Sequence, residues 1–141
     1  MNNTISLCMI VKNEEHNLRK FFQNIPGIID EIIVVDTGST DRSNDIALSF
    51  GAKLYYFKWT NNFSEARNFA LSKASCKWIL SLDADEIIAS CDHVKLEELV
   101  KNTPADNIAF QFELRNYVNY PNTKGWIPND GKYKSEEAGT G

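Results

Sequence analysis

The sequence predicts an α/β fold: a mostly parallel sheet with helices on both faces. Three observations carry that expectation. Apolar runs long enough for buried strands recur as TISLCMIV, EIIVV and WILSL. Segments of helical periodicity separate them, so strand and helix alternate. Each run ends on polar residues that begin the next turn, as a strand-to-helix connection requires.

Taken in order, residues 4–11 form the first strand. Asn13 is placed to cap the helix that follows, NEEHNLRKFFQNI, whose Leu18, Phe21, Phe22 and Ile25 fall on one stripe. Pro26 and Gly27 end it. Residues 31–35 form the second strand, with Asp36 at its end. Ser39 or Thr40 caps DRSNDIALSF, and Gly51 stops that helix. KLYYF, residues 53–57, is the third strand and reads as core rather than as a stacking platform. Asn62 starts a third helix, with Glu65 at the capping-box position and Phe63, Ala66, Phe69, Ala70 and Ala74 on its apolar face. Residues 78–82 form the fourth strand, followed by Asp83-Ala84-Asp85. A short amphipathic helix spans residues 92–101. IAFQFEL, residues 108–114, alternates and predicts a half-exposed strand. The division expected is a domain over residues 1–116 and a turn-rich tail over 117–141.

Bulk properties narrow the function. The chain has 141 residues, enough for one domain with a real core. A net charge of −4 without a basic run excludes a nucleic-acid footprint. The start, MNNTISLCMIVKNEE, is not a signal peptide, because Lys12 and two glutamates follow a short apolar run. No stretch reaches the roughly 20 apolar residues of a transmembrane segment. Cys8, Cys76 and Cys91 fit no zinc spacing; Cys8 and Cys76 read as core packing and a reduced, cytoplasmic setting is expected.

VVDTGSTD could be read as an aspartic protease triplet, but that fold is all-β and needs a second copy, which is missing here. In an open α/β sheet, ligands bind outside the carboxyl ends of the strands. Three strands place polar groups there: Lys12-Asn13-Glu14, Asp36-Thr37-Gly38-Ser39 and Asp83-Ala84-Asp85-Glu86. Asp83 and Asp85 repel one another unless a cation or donors answer them, and holding Mn²⁺ or Mg²⁺ on a diphosphate would do so. Asp36 stands alone and suits a base edge or a ribose hydroxyl. Gly38 would permit close backbone approach, and the next helix N-terminus would favour an anion. Arg67 either pairs with Glu65 on the surface or reaches the nucleotide. Trp59 and Trp126 read as packing, with stacking on a sugar or acceptor as the alternative. His16 and His93 read as surface.

ISLCMIVKNEE, DEIIVVDTGSTDRS, FKWTNNFSEARNFAL and WILSLDADE, in this order and spacing, resemble the nucleotide-sugar-binding half of a family 2 glycosyltransferase. The resemblance runs from about Ile5 to Glu86 and more loosely to Leu114. It implies a Rossmann-like GT-A fold, a nucleotide-sugar donor that is usually UDP-linked, a divalent cation and transfer with inversion. It also implies site residues. Residues 9–13, with Val11 and Asn13, would line the base pocket, and Asp36 would bind the base. Arg67 would lie near base and diphosphate. Asp83, beside Ala84, would bind the ribose or the metal's surroundings, and Asp85 would ligate the metal. The acceptor, whether protein, saccharide or lipid carrier, is not legible. A lipid or cell-wall acceptor would place the enzyme at the inner face of the membrane. The resemblance further implies that the general base lies beyond this chain. Glu136 and Glu137 read as solvated, and the chain is expected to be the donor half of a larger enzyme.

Other classes stay open at this point. A non-catalytic nucleotide-binding module would need no base. A haloacid-dehalogenase phosphatase wants Thr or Val soon after its DxD, where this chain has Glu86-Ile87-Ile88. A sugar-nucleotide pyrophosphorylase wants a Gly-rich basic loop where this chain has VKNEEHN.

Overall fold

The computed structural model describes residues 5–104 and 107–114. Strand and helix alternate through them as β1 (Ile5–Val11), α1 (Glu15–Gln23), β2 (Ile29–Asp36), α2 (Ser43–Ser49), β3 (Lys53–Tyr56), α3 (Phe63–Ser72), β4 (Trp78–Ser81) and α4 (Ser90–Asn102). The sheet is parallel throughout, in the order β3-β2-β1-β4. The most apolar run, β1, takes the centre, where both faces and both edges are covered. Cys8 stands opposite Ile33 on one side and Ser81 on the other.

Successive strand residues point to opposite faces, and this sorts the core into two layers. Leu7, Met9, Val11, Val34 and Leu80 pack with Leu18, Phe21 and Phe22 of α1, Ile46 and Ala47 of α2, and Leu96 and Val100 of α4. Cys8, Ile33 and Val35 face the other way, against Ala70 of α3. Burial pushes the Cys8 thiol up to about 11, the Glu31 carboxylate adds to this, and the thiol is held as an inert core group. Removing such a side chain costs more than its transfer energy, because a cavity remains. Leu18→Ala is a change of that kind, worth roughly 2–5 kcal/mol.

Four local expectations are corrected. Asn13 does not cap α1: the cap position is Glu14, without a side-chain bond, and Asn13 adopts φ +54°. Neither Ser39 nor Thr40 caps α2, which begins later, after Arg42. Asn62 does cap α3, accepting from the Ser64 N–H at 3.0 Å, but Glu65 accepts from the Thr60 hydroxyl instead of closing a capping box. Residues 108–114 form no strand. Alternation needs a sheet edge to pair with, and among the described residues β4 pairs with β1 alone. The apolar side chains Ile108, Phe110, Phe112 and Leu114 stand exposed, with the Phe110 ring 5.9 Å from Trp78. Gly51 stops α2 as expected, at φ +79°. The tail over 117–141, with Trp126, Glu136 and Glu137, lies outside the described residues.

The amino end of the sheet carries a polar knot that the sequence did not announce. Glu31, at the start of β2, is buried. Its carboxylate accepts from the Ser6 hydroxyl, from Lys53 Nζ at 2.7 Å, and from the Ser75 N–H and hydroxyl at 2.9 Å each. Ser6 Oγ in turn accepts from the Cys76 N–H at 3.0 Å. Cys76 thus sits half-buried in the turn before β4 rather than in a strand. Burial alone would raise the Glu31 pKa. The bonds from Lys53, Ser6 and Ser75 outweigh it and hold the group down at about 2.

Candidate functional site

The strand order fixes where a ligand can enter. From β1 the chain steps to β2 and β3 on one side, then returns past β1 to β4. The order therefore reverses between β1 and β4, and the crevice of an open α/β sheet forms at such a point. A cleft of about 410 Å³ lies there. Ile10, Val11 and Lys12 bring the end of β1 to it, and Thr37 the turn after β2. Asp83, Ala84 and Asp85 form the side that follows β4. Trp59, Phe63 and Arg67 form the wall on the α3 side, with Glu14 also at the rim. The Thr37 N–H and hydroxyl both donate to the Val11 carbonyl, at 3.0 and 3.2 Å, and extend the β1–β2 ladder by one rung.

Arg67 resolves its two readings toward the cleft. Its Nη1 donates to Ser81 Oγ at 2.7 Å and its Nη2 pairs with Asp83 Oδ1 at 3.1 Å. The expected repulsion between Asp83 and Asp85 is thus answered on one side by a guanidinium. The Asp83 N–H donates to the Glu86 carboxylate at 2.8 Å, which shapes the turn. Asp85 is exposed, lines the cleft, and pairs with no cation among the described residues. No group of three or more His, Cys, Asp or Glu side chains gathers to hold a metal among them either.

Asn13 and Asp36 are not part of the cleft wall. The Asp36 carboxylate is buried and accepts from the Gly38 N–H at 3.2 Å and from the Ser39 N–H at 3.1 and 3.2 Å. Gly38 is at φ +119°, and a Cβ there would meet nothing within 4 Å. The turn needs a glycine for this backbone angle, and the space beside its Cα is open.

Asn13 belongs to a clasp between the turns after β1 and β2. Its N–H donates to Ser39 Oγ at 2.9 Å and its Oδ1 accepts from the Thr40 N–H at 2.8 Å. The Glu14 N–H donates to Ser43 Oγ at 2.7 Å, and the Glu15 N–H to Asp41 Oδ2 at 3.1 Å. The Arg42 N–H donates back to Glu15 Oε2 at 3.1 Å. The N–H groups that open α1 are thus bonded by side chains of the second turn and of α2, and the Arg42 N–H just before α2 by a side chain of α1. Desolvation tends to raise the Asp41 pKa. The bonds from the Ser43 hydroxyl, the Ser43 N–H and the Glu15 N–H prevail and hold it below the ordinary aspartate value.

The sequence profile described as Glycosyl transferase family 2 matches residues 6–139. The chain belongs to this family. A TPR repeat-containing protein of Synechococcus elongatus is 49% identical over 82 residues, 58% of this chain and 20% of that protein. An uncharacterised glycosyltransferase of Rickettsia typhi is 33% identical over 111 residues, 78% of this chain and 38% of that one. The chain thus spans well under half the length of these relatives. Among solved structures, the glucosyl-3-phosphoglycerate synthase of Mycobacterium tuberculosis, in complex with Mn²⁺, UDP and glucosyl-3-phosphoglycerate, superposes with a TM-score of 0.52 at 27% identity. That match covers 60% of this chain and 34% of the synthase. The GT-A architecture expected for the family is the one observed. No helix among the described residues is long and apolar enough to cross a membrane.

One cleft residue escaped the sequence reading: Phe63, expected on the buried face of α3, lines the cleft beside Trp59, for which packing is the first reading and stacking the alternative. The signal was present: Trp59, Phe63 and Arg67 recur every four residues, and the Asn62 cap makes Phe63 and Arg67 neighbours on one helix face. His93, read as surface, is half-buried with Nε2 3.0 Å from the Ile88 carbonyl.

Proposed function

We propose that this chain is the donor-binding part of a family 2 glycosyltransferase that takes a UDP-linked sugar, works with a divalent cation and transfers with inversion. The observation that carries the reading is the meeting of Arg67, Asp83 and Asp85 in one cleft at the strand-order reversal. A Mn²⁺-and-UDP-bound synthase among the structural relatives supports the choice of nucleotide and metal.

The residues fit a cation of the Mn²⁺ or Mg²⁺ kind. Such ions keep several waters and take one or two carboxylates plus substrate phosphates, so a full protein cage is not needed. Asp85, exposed in the cleft and without a cationic partner among the described residues, is the group that would hold it, with Asp83 beside it. The cation would offset charge on the departing diphosphate. Arg67 binds Asp83 and steadies the same side of the cleft, where its guanidinium also faces the diphosphate. Val11 and Ala84 shape the floor, and Asn13 holds the turn beside it. Asp36 takes the base edge: a carboxylate offers about four lone-pair sites, and two backbone N–H groups leave capacity for another donor. We place the donor domain at residues 1–116 and read 117–141 as the start of an acceptor-side region. The base that deprotonates the acceptor hydroxyl is not assigned to this chain.

Calorimetric titration with UDP, with and without Mn²⁺ and against ADP and GDP, tests the reading. Metal-dependent binding selective for UDP is the expected result. Equal affinity for all three, or binding indifferent to metal, would remove it.

A further inference from the structure

Building on the donor-binding reading above, we propose that the flat face of the donor's nucleobase stacks on the Phe63–Trp59 pair. Phe63 is 72% exposed, although it opens a helix whose next apolar residues, Ala66 and Ala70, are buried. An exposed phenylalanine on a surface is unremarked; one that walls a cleft beside an arginine and two carboxylates is placed to meet a ligand. Its ring lies 4.7 Å from that of Trp59 at an interplanar angle of 76°. An edge-on pair leaves flat faces uncovered, and a heterocycle can lie on them.

The pair is also held in place. Trp59 Nε1–H donates to Asn61 Oδ1 at 3.0 Å, which fixes the indole. Asn61 bends the loop at φ +59°, a left-handed conformation that asparagine tolerates. Asn62 caps α3, and the Thr60 hydroxyl bonds to Glu65, so the loop is tied to the helix at two points. A wall fixed before binding loses little entropy when a ring settles on it. One helical turn beyond Phe63 stands Arg67, across from Asp83 and Asp85. The cleft thus offers an aromatic surface next to a phosphate-and-metal end, and a nucleoside diphosphate has that same division.

The test is a set of titrations on the full chain with Mn²⁺ present. UDP should bind the wild type and quench its tryptophan emission. Phe63→Ala should weaken UDP roughly tenfold or more, the usual loss when one base-stacking ring is removed, while Phe63→Tyr keeps the affinity. Trp59→Phe should keep the binding and lose the quench. Thermal melts of each variant establish that it is folded; Phe63, being exposed, is the change least able to disturb folding. If the wild type binds UDP and Phe63→Ala binds it equally well, the stacking assignment is wrong and the donor reading stands. If Phe63→Ala weakens UDP-sugar but not UDP, the wall faces the sugar and the proposal is overturned. If the wild type binds no nucleotide, the donor reading itself falls and takes the stacking with it.

Discussion

The two ends of the sheet hold the same chemical pair under opposite conditions. At the amino end, Glu31 meets Lys53 with its carboxylate 6% exposed and bonded also to Ser6 and Ser75. At the carboxyl end, Asp83 meets Arg67 with its side chain 52% exposed, and Asp85 next to it faces solvent. The first carboxylate has its lone pairs filled from three other segments of chain and serves the fold. The second pair keeps capacity in reserve and stands where a ligand can use it. A salt bridge by itself therefore says little about role. What distinguishes the two is whether the remaining acceptor sites are satisfied by the protein.

The comparison breaks most visibly at Glu31. Glu31→Ala removes the acceptor of the Ser6, Ser75 and Lys53 donors at once, leaving the Ser6 hydroxyl and Ser75 N–H to find new partners. A loss of about 3 kcal/mol is expected, the size of its pKa displacement converted to free energy. Urea unfolding measures it; a loss below about 1 kcal/mol would show that water replaces the knot. The same group predicts a pH dependence. The Glu31 pKa lies below its unfolded value, so its stabilisation is fully present above about pH 4.5 and is lost as pH falls through about 2. Glu31→Gln should flatten the acid limb of the stability profile in that window and leave neutral-pH nucleotide binding in place. An unchanged acid limb would mean that other carboxylates set it.

The contrast also explains what could be read in advance. Parallel order and both helical layers were legible because β1, β2 and β4 are apolar runs whose alternate residues must each find a helix. The location of the site was legible for a topological reason: strand ends that share an edge bring their turns together. The partners of the turn residues were not legible. Glu31 sits 22 residues from Lys53 and 44 from Ser75, and no local pattern ties them. The clasp of Asn13 and Glu15 with Ser39, Thr40 and Asp41 joins segments some 26 residues apart, so Asn13, Ser39 and Thr40 read locally as caps of their own helices. Residues 108–114 failed in the other direction. Their alternation was genuine, but a strand exists only where an edge receives it, and that depends on the rest of the sheet.

The clasp gives an intermediate case. Asp41 accepts from the Glu15 N–H across the turn and from Ser43 within its own. Asp41→Ala should lower the melting temperature by less than Glu31→Ala does, because water reaches these groups. It should also weaken UDP binding, since Lys12 and Thr37 of the two clasped turns line the cleft. Asp41→Asn, which keeps an acceptor, should restore most of both. A variant that lost stability while binding UDP as the wild type does would show that the clasp supports only the helices.

The smallest effect on stability should fall where the effect on binding is largest. Asp85→Asn removes a charge two residues from Asp83, at an exposed position whose carboxylate pairs with no cation among the described residues. Unfolding free energy should move by no more than about 0.5 kcal/mol, and upward if it moves, since a like-charge contact is relieved. UDP affinity should then lose its dependence on Mn²⁺, while affinity measured without metal stays as it was. A carboxylate kept at no benefit to the fold is the mark of a group held ready for a ligand. If Asp85→Asn instead destabilised the chain as Glu31→Ala does, the two ends of the sheet would be doing the same work, and the cleft would lose its strongest claim to chemistry.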